Sequence, residues 1–438
     1  MYKIGFWESD ITPALGAGIP GYGELRFGTG IKDKLYAKAV AVESNGECVV
    51  MVSIDACLFN KNIYDAVRDR IIAKTGLDSK NIMICVTHTH TGGPDKDTPA
   101  DGNDVALDKT CLDYAIKVSA DTAVLAYNNR RDAILKYACG EVKGISFVRN
   151  YHMQDGSIRT NPGRCNPNIV KPYSEPDYSL PVLFAFDTNG DIMGAIYDFA
   201  CHQDCVDGSE FSGDYSSIVS KQLKEKYGAD FVSIYFSGTA GNINHFDVSK
   251  KSDSADHYVM MGKTIAKELK RLIKKAKTIP EGLKADKVEY TVKTRLPNEQ
   301  EMAEYERIAR ETVVPEGTKI AADSPKYLYD YMMATRNIAM SKTTPKDFPI
   351  VVQVVKIGDV NIYALQGEVF AQYAERIRQN TRPDRNMFFT HANSSWMYVP
   401  IPELYGTLIY EADYGSAMIY GEDAMAMCDK AIEMSKSL

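Results

Sequence analysis

A layered α/β fold, with mixed β-sheets rich in antiparallel hairpins and helices packed against them, is the class this sequence predicts. Two hairpins and five helical stretches carry the prediction. The first hairpin, VLFAFDTNGDIMGAIYDFA, turns at Asn189-Gly190, a pair that tolerates positive φ; the second, IVVQVVKIGDVNIYALQG, turns at Gly358-Asp359. Apolar residues spaced by three and four predict helices over about 63–74, 107–127, 255–274, 369–379 and 423–435.

Taken in chain order, short apolar runs at 48–54, 82–86 and 231–236 predict strands, each ending at a polar or glycine-rich turn. Such turns are where chemistry concentrates. From Pro297 to Pro349 the chain is charged and helical in pattern, which predicts a solvated helical excursion from the core. No linker-like tract, internal repeat or low-complexity segment divides the chain, so one domain over 1–438 is expected.

Composition narrows the function. The 438 residues are 45% hydrophobic and 25% charged, values of an ordinary globular protein with a large core. Lys and Arg total 51 against 58 Asp and Glu, a net charge of -7 with no basic stripe, so nucleic acid is not an expected partner. No apolar run approaches the roughly 20 residues of a membrane span, and no membrane insertion is expected. The start, MYKIGFWESDITPALG, lacks the pattern of a secretory signal; the expected location is cytoplasmic as written, or secreted if a signal has been removed. Nine scattered cysteines read as reduced thiols. Cys201 and Cys205 flank His202 as half of a structural zinc site would, but no second Cys pair completes it.

The strongest chemical signal is ICVTHTHTGGP, an apolar strand running into His88-Thr89-His90 and breaking at Gly92-Gly93-Pro94. On extended backbone residues i and i+2 share a side, so both imidazoles are expected to face one space. A second strand, AIYDFACHQDC, ends at His202, and a third, NIYALQGEVF, runs through Gly367-Glu368 into a helix whose first turn would present the carboxylate. Two histidines and a carboxylate are the ligand set of a catalytic zinc that activates water. Each residue also has an ordinary reading: a core or surface histidine, or a helix-start acid favoured by the dipole. The other histidines, His152, His245, His257 and His391, lack this setting except His245, which follows SGTAGNIN.

With those residues in view, the sequence resembles the neutral/alkaline non-lysosomal ceramidase family, as its N-terminal catalytic domain. The resemblance lies in the ordered set DITP (10–13), PGYG (20–23), THTHTGGP (87–94), FVRN (147–150), FACH (199–202), SGTAGNIN (237–244), QGE (366–368) and NSSWMYVPIPELYGTLIYEADYG (393–415). It implies a zinc-dependent amidase of lipid metabolism, with Zn²⁺ held by His88, His202, Glu368 and Tyr398. It also implies His90 beside the catalytic water and Arg149 as the family's strand-end arginine. His90 is then the expected proton shuttle, and Arg149 the group that holds a substrate oxygen or the developing oxyanion. The expected partner is a small N-acyl substrate, a sphingolipid among the candidates; oligomeric state stays open. The family's further C-terminal β-sandwich-like domain is expected to be absent. The chain departs from the pattern in SGTAGNINHF, where Asn242 and His245 replace an acid and a proline, and in FACHQDC, which lacks the usual Pro and Ser. Amide hydrolysis is therefore better supported than ceramide itself, and a smaller N-acyl or ester compound stays equally open.

Other readings compete. GAGIPGYG contains a Gly-x-Gly-x-x-Gly, but Pro20 inside it and the lack of a following helix argue against a dinucleotide site. SGTAGN is a better anion nest, without the Lys-Ser/Thr of a phosphate loop. A non-catalytic ligand-binding protein on the same scaffold, and a metal-dependent phosphoesterase drawing on Asp55 and Asp214, are the alternatives from other classes.

Overall fold

The computed structural model describes residues 1–22, 26–95, 105–315, 318, 326–343, 345–395, 397–407 and 409–438. Gly23 of PGYG, Trp396 and Leu408 of the last motif, and residues 316–317, 319–325 and 344 of the helical stretch lie outside them.

Among the described residues one sheet has nine strands. Eight run in the spatial order Val232–Ser237, Ile192–Phe199, Ser179–Asp187, Arg131–Glu141, Tyr2–Asp10, Tyr36–Ser44, Glu47–Ile54 and Ile82–Val86, and the short Lys277–Thr278 pairs beside Arg131–Glu141. The interior pairings are antiparallel, including the expected hairpin at Asn189-Gly190, while the two outer strands are parallel to their neighbours. The sheet curls until its ends approach: Ser53 Oγ donates to the Tyr235 carbonyl at 2.6 Å. A second sheet follows the order Leu283–Lys293, Asp347–Ile357, Val360–Leu365 and Asn386–Phe389, with the hairpin at Gly358-Asp359 at its centre. The mixed, layered α/β class is as expected.

Burial explains the layers. The sheets face each other across a core of Ile4, Val40, Met51 and Phe236 from the first and Val355, Ile362 and Phe389 from the second. Helices α1 (Lys61–Thr75) and α2 (Val105–Asn128) cover half of the first sheet's outer face; α3 (Asp214–Tyr227) and α4 (His257–Ile273) cover the other half. After α5 (Glu299–Glu311) and α6 (Lys326–Ser341), α7 (Ala371–Asn380) and α8 (Gly421–Ser437) close the outer face of the second sheet. The five helices expected from periodicity are α1, α2, α4, α7 and α8, each within two residues at its ends. Several elements were not anticipated, the strands Tyr2–Asp10, Tyr36–Ser44 and Arg131–Glu141 among them, and two are instructive. In α3 the apolar stripe is carried by Tyr215, Ile218, Val219 and Leu223 amid polar residues, and Leu283–Lys293 is an edge strand whose charged, alternating residues suit an edge.

This architecture places several strand ends together. The outer strands Ile82–Val86 and Val232–Ser237 both end where the second sheet's Asn386–Phe389 ends, and Thr390 and His391 stitch them: Thr390 N–H donates to the Ser237 carbonyl and Val86 N–H to that of His391. The Gly-rich segment at 16–21 forms part of a short hairpin, Gly18–Ile19 with Arg26–Phe27, and opens no helix; it is not a dinucleotide loop.

Candidate metal centre

His88, His202 and Glu368 meet at these strand ends. Their donor atoms all lie within 4.8 Å of one another, and all three residues are buried. His88 Nε2 is 3.4 Å and His202 Nε2 3.0 Å from Glu368 Oε2. On the opposite side of each ring, His88 Nδ1 lies 2.9 Å from the Cys57 carbonyl oxygen and His202 Nδ1 3.0 Å from that of Ile243. A carbonyl that accepts the Nδ1 proton leaves the Nε2 lone pair aimed inward, which is how proteins orient metal-binding imidazoles.

The route to this convergence differs from the expectation in two places. The strand before His88 ends at Val86, and His88 itself is left-handed with φ +66°, so the two histidines do not share an extended strand. They meet because that turn folds His90 back, and the two Nε2 atoms lie 3.3 Å apart. Glu368 does not sit in a helix's first turn. It occupies a two-residue strand, Glu368–Val369, paired in parallel with Tyr398–Val399, and α7 begins later, at Ala371. Gly367 makes the turn at φ +78°, where a Cβ would come within 2.4 Å of the Met397 carbonyl oxygen.

The strand pairing sets Tyr398 in register with Glu368. Its ring lies under the Arg149 guanidinium, 5.3 Å from centroid to Cζ. Arg149 leaves the short strand Phe147–Val148 and is held on three sides: Nε donates to Glu411 Oε1 at 2.6 Å, Nη2 to the Gly241 carbonyl at 2.7 Å, and Nη1 is 3.4 Å from His202 Nε2. All six residues expected at the site are therefore gathered in one buried region.

The charge balance fits a cation. Burial opposes ionisation of Glu368, yet His88 and His202 hold its carboxyl well below the ordinary range. Burial would likewise lower His88, but the Glu368 carboxylate drives it well above the ordinary imidazole value. Burial and the adjacent His88 push His90 down to about 3, so it is neutral. Burial raises the Tyr398 hydroxyl, with Arg149 pulling the other way. Two inward imidazole nitrogens around a buried carboxylate are donors that a divalent cation would satisfy, so the residues present fit one.

His391 escaped the sequence reading. It is buried and stacks on His88 with ring centroids 4.2 Å apart. Its signal was present in NMFFTH, where the strand Asn386–Phe389 stops just short of it. Glu411 was also missed: it is fully buried and accepts from Arg149 and from Asn150 Nδ2. Asp55 and Asp214 serve the backbone instead, accepting from Tyr36 N–H and from Val206 N–H, and neither joins a cluster of potential ligands among the described residues.

This layered scaffold with a buried His, His, Glu centre has known relatives. Residues 2–206 match the family described as neutral/alkaline non-lysosomal ceramidase, N-terminal. The chain is 26% identical over 263 residues to the neutral ceramidase of Pseudomonas aeruginosa, covering 56% of this chain and 37% of that one. It is 25% identical over 238 residues to the neutral ceramidase of Oryza sativa subsp. japonica, covering 51% and 29%. The matched stretches thus span about a third of those relatives' length. The crystal structure of neutral ceramidase from Pseudomonas aeruginosa superposes with a TM-score of 0.72 at 18% identity, over 99% of this chain and 74% of that one. The motif resemblance is matched by these similarities: the first half of the chain is similar to the neutral/alkaline non-lysosomal ceramidases, and the whole chain shares their fold.

Proposed function

We propose that this chain is a metal-dependent hydrolase of N-acyl amide bonds, with zinc held by His88, His202, Glu368 and Tyr398 and a ceramide or smaller N-acyl compound as substrate. The convergence of His88, His202 and Glu368 within 4.8 Å, inside a fold shared with neutral ceramidases, is the observation that carries it. Zinc bound by such a set lowers the pKa of water towards roughly 7 and polarises a carbonyl.

The chain's own residues supply the rest. His90 Nε2 lies next to the ligand nitrogens, and His90 Nδ1 makes no hydrogen bond, so the neutral ring is able to take a proton at one nitrogen and release it at the other. It is the proton shuttle to the leaving amine. Arg149, with two of its nitrogens engaged by Glu411 and Gly241, presents a fixed positive charge to Tyr398 and favours its phenolate. The same charge is placed to steady a substrate oxygen. Burial of the centre removes water that would screen these interactions.

The test is metal content and amide hydrolysis of the wild type beside His88→Ala. Loss of both is expected. Unchanged metal in the variant removes His88 from the ligand set, and a wild type that binds metal but turns over no amide or ester favours a ligand-binding role.

A further inference from the structure

A second cluster of metal-ligating side chains lies beyond the set assigned above. Cys205, His245 and His257 each bring a donor atom within 4.8 Å of the other two. They come from three places: the turn after strand Ile192–Phe199, the residue after the short strand Ile243–Asn244, and the first residue of α4. Convergence of three such side chains from separate segments is not a by-product of local chain geometry.

His245 is the most informative member. It is buried, its Nδ1 makes no hydrogen bond, and its Nε2 faces Asp204 Oδ1 at 3.4 Å. The carboxylate lies within ion-pair distance of one ring nitrogen, on the side where such a group orients a metal-bound imidazole, and the second nitrogen is unengaged. The His257 ring lies 5.1 Å from that of His245, and its Nε2 is 3.0 Å from the His245 carbonyl oxygen. The Cys205 sulfur reaches α4, 3.3 Å from Met261 Sδ. Cys201 takes no part: its sulfur is buried on the other side of the turn, 3.9 Å from the Ile145 carbonyl oxygen. The two thiols flanking His202 therefore serve different places, and the Cys-x-x-x-Cys spacing is not a chelate.

We propose that Cys205, His245 and His257 form a second metal site for a borderline-soft divalent ion of the zinc class, with Asp204 orienting His245. One thiolate and two imidazoles select such an ion over magnesium or calcium, which take oxygen ligands. The positive end of α4 works against a cation at His257; the thiolate and the Asp204 carboxylate place two negative charges beside it. Asp204 and Cys205 lie two and three residues after His202, so the ion ties the turn that carries His202 to α4 and to the loop after Ser237.

The test is metal stoichiometry of the full chain, together with near-ultraviolet absorption of the cobalt(II)-substituted protein, in which a cobalt–thiolate bond gives a charge-transfer band. Wild type is expected to bind two equivalents and show the band. Cys205→Ser and His257→Ala, made separately so that one misfolded variant does not decide the matter, should each drop to one equivalent; Cys205→Ser should lose the band. His88→Ala should lose the other equivalent and keep the band, and Cys57→Ser should also keep it, because Cys57 lies beside His88. Metal content that Cys205→Ser leaves unchanged, or a band that survives Cys205→Ser or disappears in Cys57→Ser, overturns the proposal. His88→Ala reads the first centre and Cys205→Ser the second, so their failures are separable.

Discussion

Gly241 shows how little room surrounds the first centre. Its N–H donates to the Val369 carbonyl and its own carbonyl accepts from Arg149, so this one residue joins the Glu368 strand to the arginine. A Cβ there would lie 2.3 Å from the Glu368 carbonyl oxygen, a distance that real atoms do not adopt. Gly241→Ala is expected to cost about 1–3 kcal/mol of stability through overpacking and to reduce amide turnover, read by thermal melting and kinetics. A variant with wild-type turnover would show that Glu368 tolerates displacement. At this scale the sequence was partly legible. His88, His202 and Glu368 announced themselves because each follows an apolar run at a polar turn. Tyr398 came only through the family resemblance, and His391 looked ordinary because its partner, His88, is some three hundred positions away.

Helix α5 is capped at its start and braced from within the core. Asn298 accepts from Glu301 N–H while the Glu301 carboxylate accepts from Asn298 N–H, a complete capping box. That carboxylate also forms a two-pronged ion pair with Arg295 at 2.7 and 2.8 Å, with both side chains at most 3% exposed. Arg295 in turn donates to the carbonyls of Ala412 and Ala417, which brace the segment holding Glu411 and, through it, Arg149. Charge and periodicity read this stretch as a solvated helix, yet Glu301 and Tyr305 are buried. Glu301→Ala leaves Arg295 buried without its counter-charge and is expected to cost about 3–5 kcal/mol in chemical denaturation. A loss below about 1 kcal/mol, the range of an exposed pair, would show that water replaces the carboxylate.

At the level of the whole molecule, the curled first sheet creates a polar seam where its ends meet. Asp55 sits there, buried, accepting from Tyr36 N–H at 2.8 Å. Burial pushes its carboxyl up to about 6, against the pull of Lys38. The folded chain thus holds this proton more tightly than the unfolded chain, whose Asp titrates near 3.9. The resulting stabilisation is complete below about pH 4 and is lost as pH rises through about 6. Burial pushes Asp214 up to about 7, which acts in the same direction. Asp55→Asn should therefore gain stability relative to wild type as pH rises from about 5 to about 8, by up to about 1.5 kcal/mol. Melting curves of both proteins across that range provide the check, and a constant difference would show that Asp55 titrates normally.

The amino-acid order by itself determined the local elements: where apolar spacing makes helices, where glycine-bearing turns make hairpins, and which strands end in groups able to bind a metal. Those are short-range properties, set by backbone sterics and by periodic burial. Only the tertiary structure decided that three strand ends meet, that Glu368 rests on a strand paired with Tyr398, and that Cys205 parts from Cys201 to join His245 and His257. Such meetings depend on how two sheets pack and how one of them curls, and the residues involved carry no mark of one another along the chain.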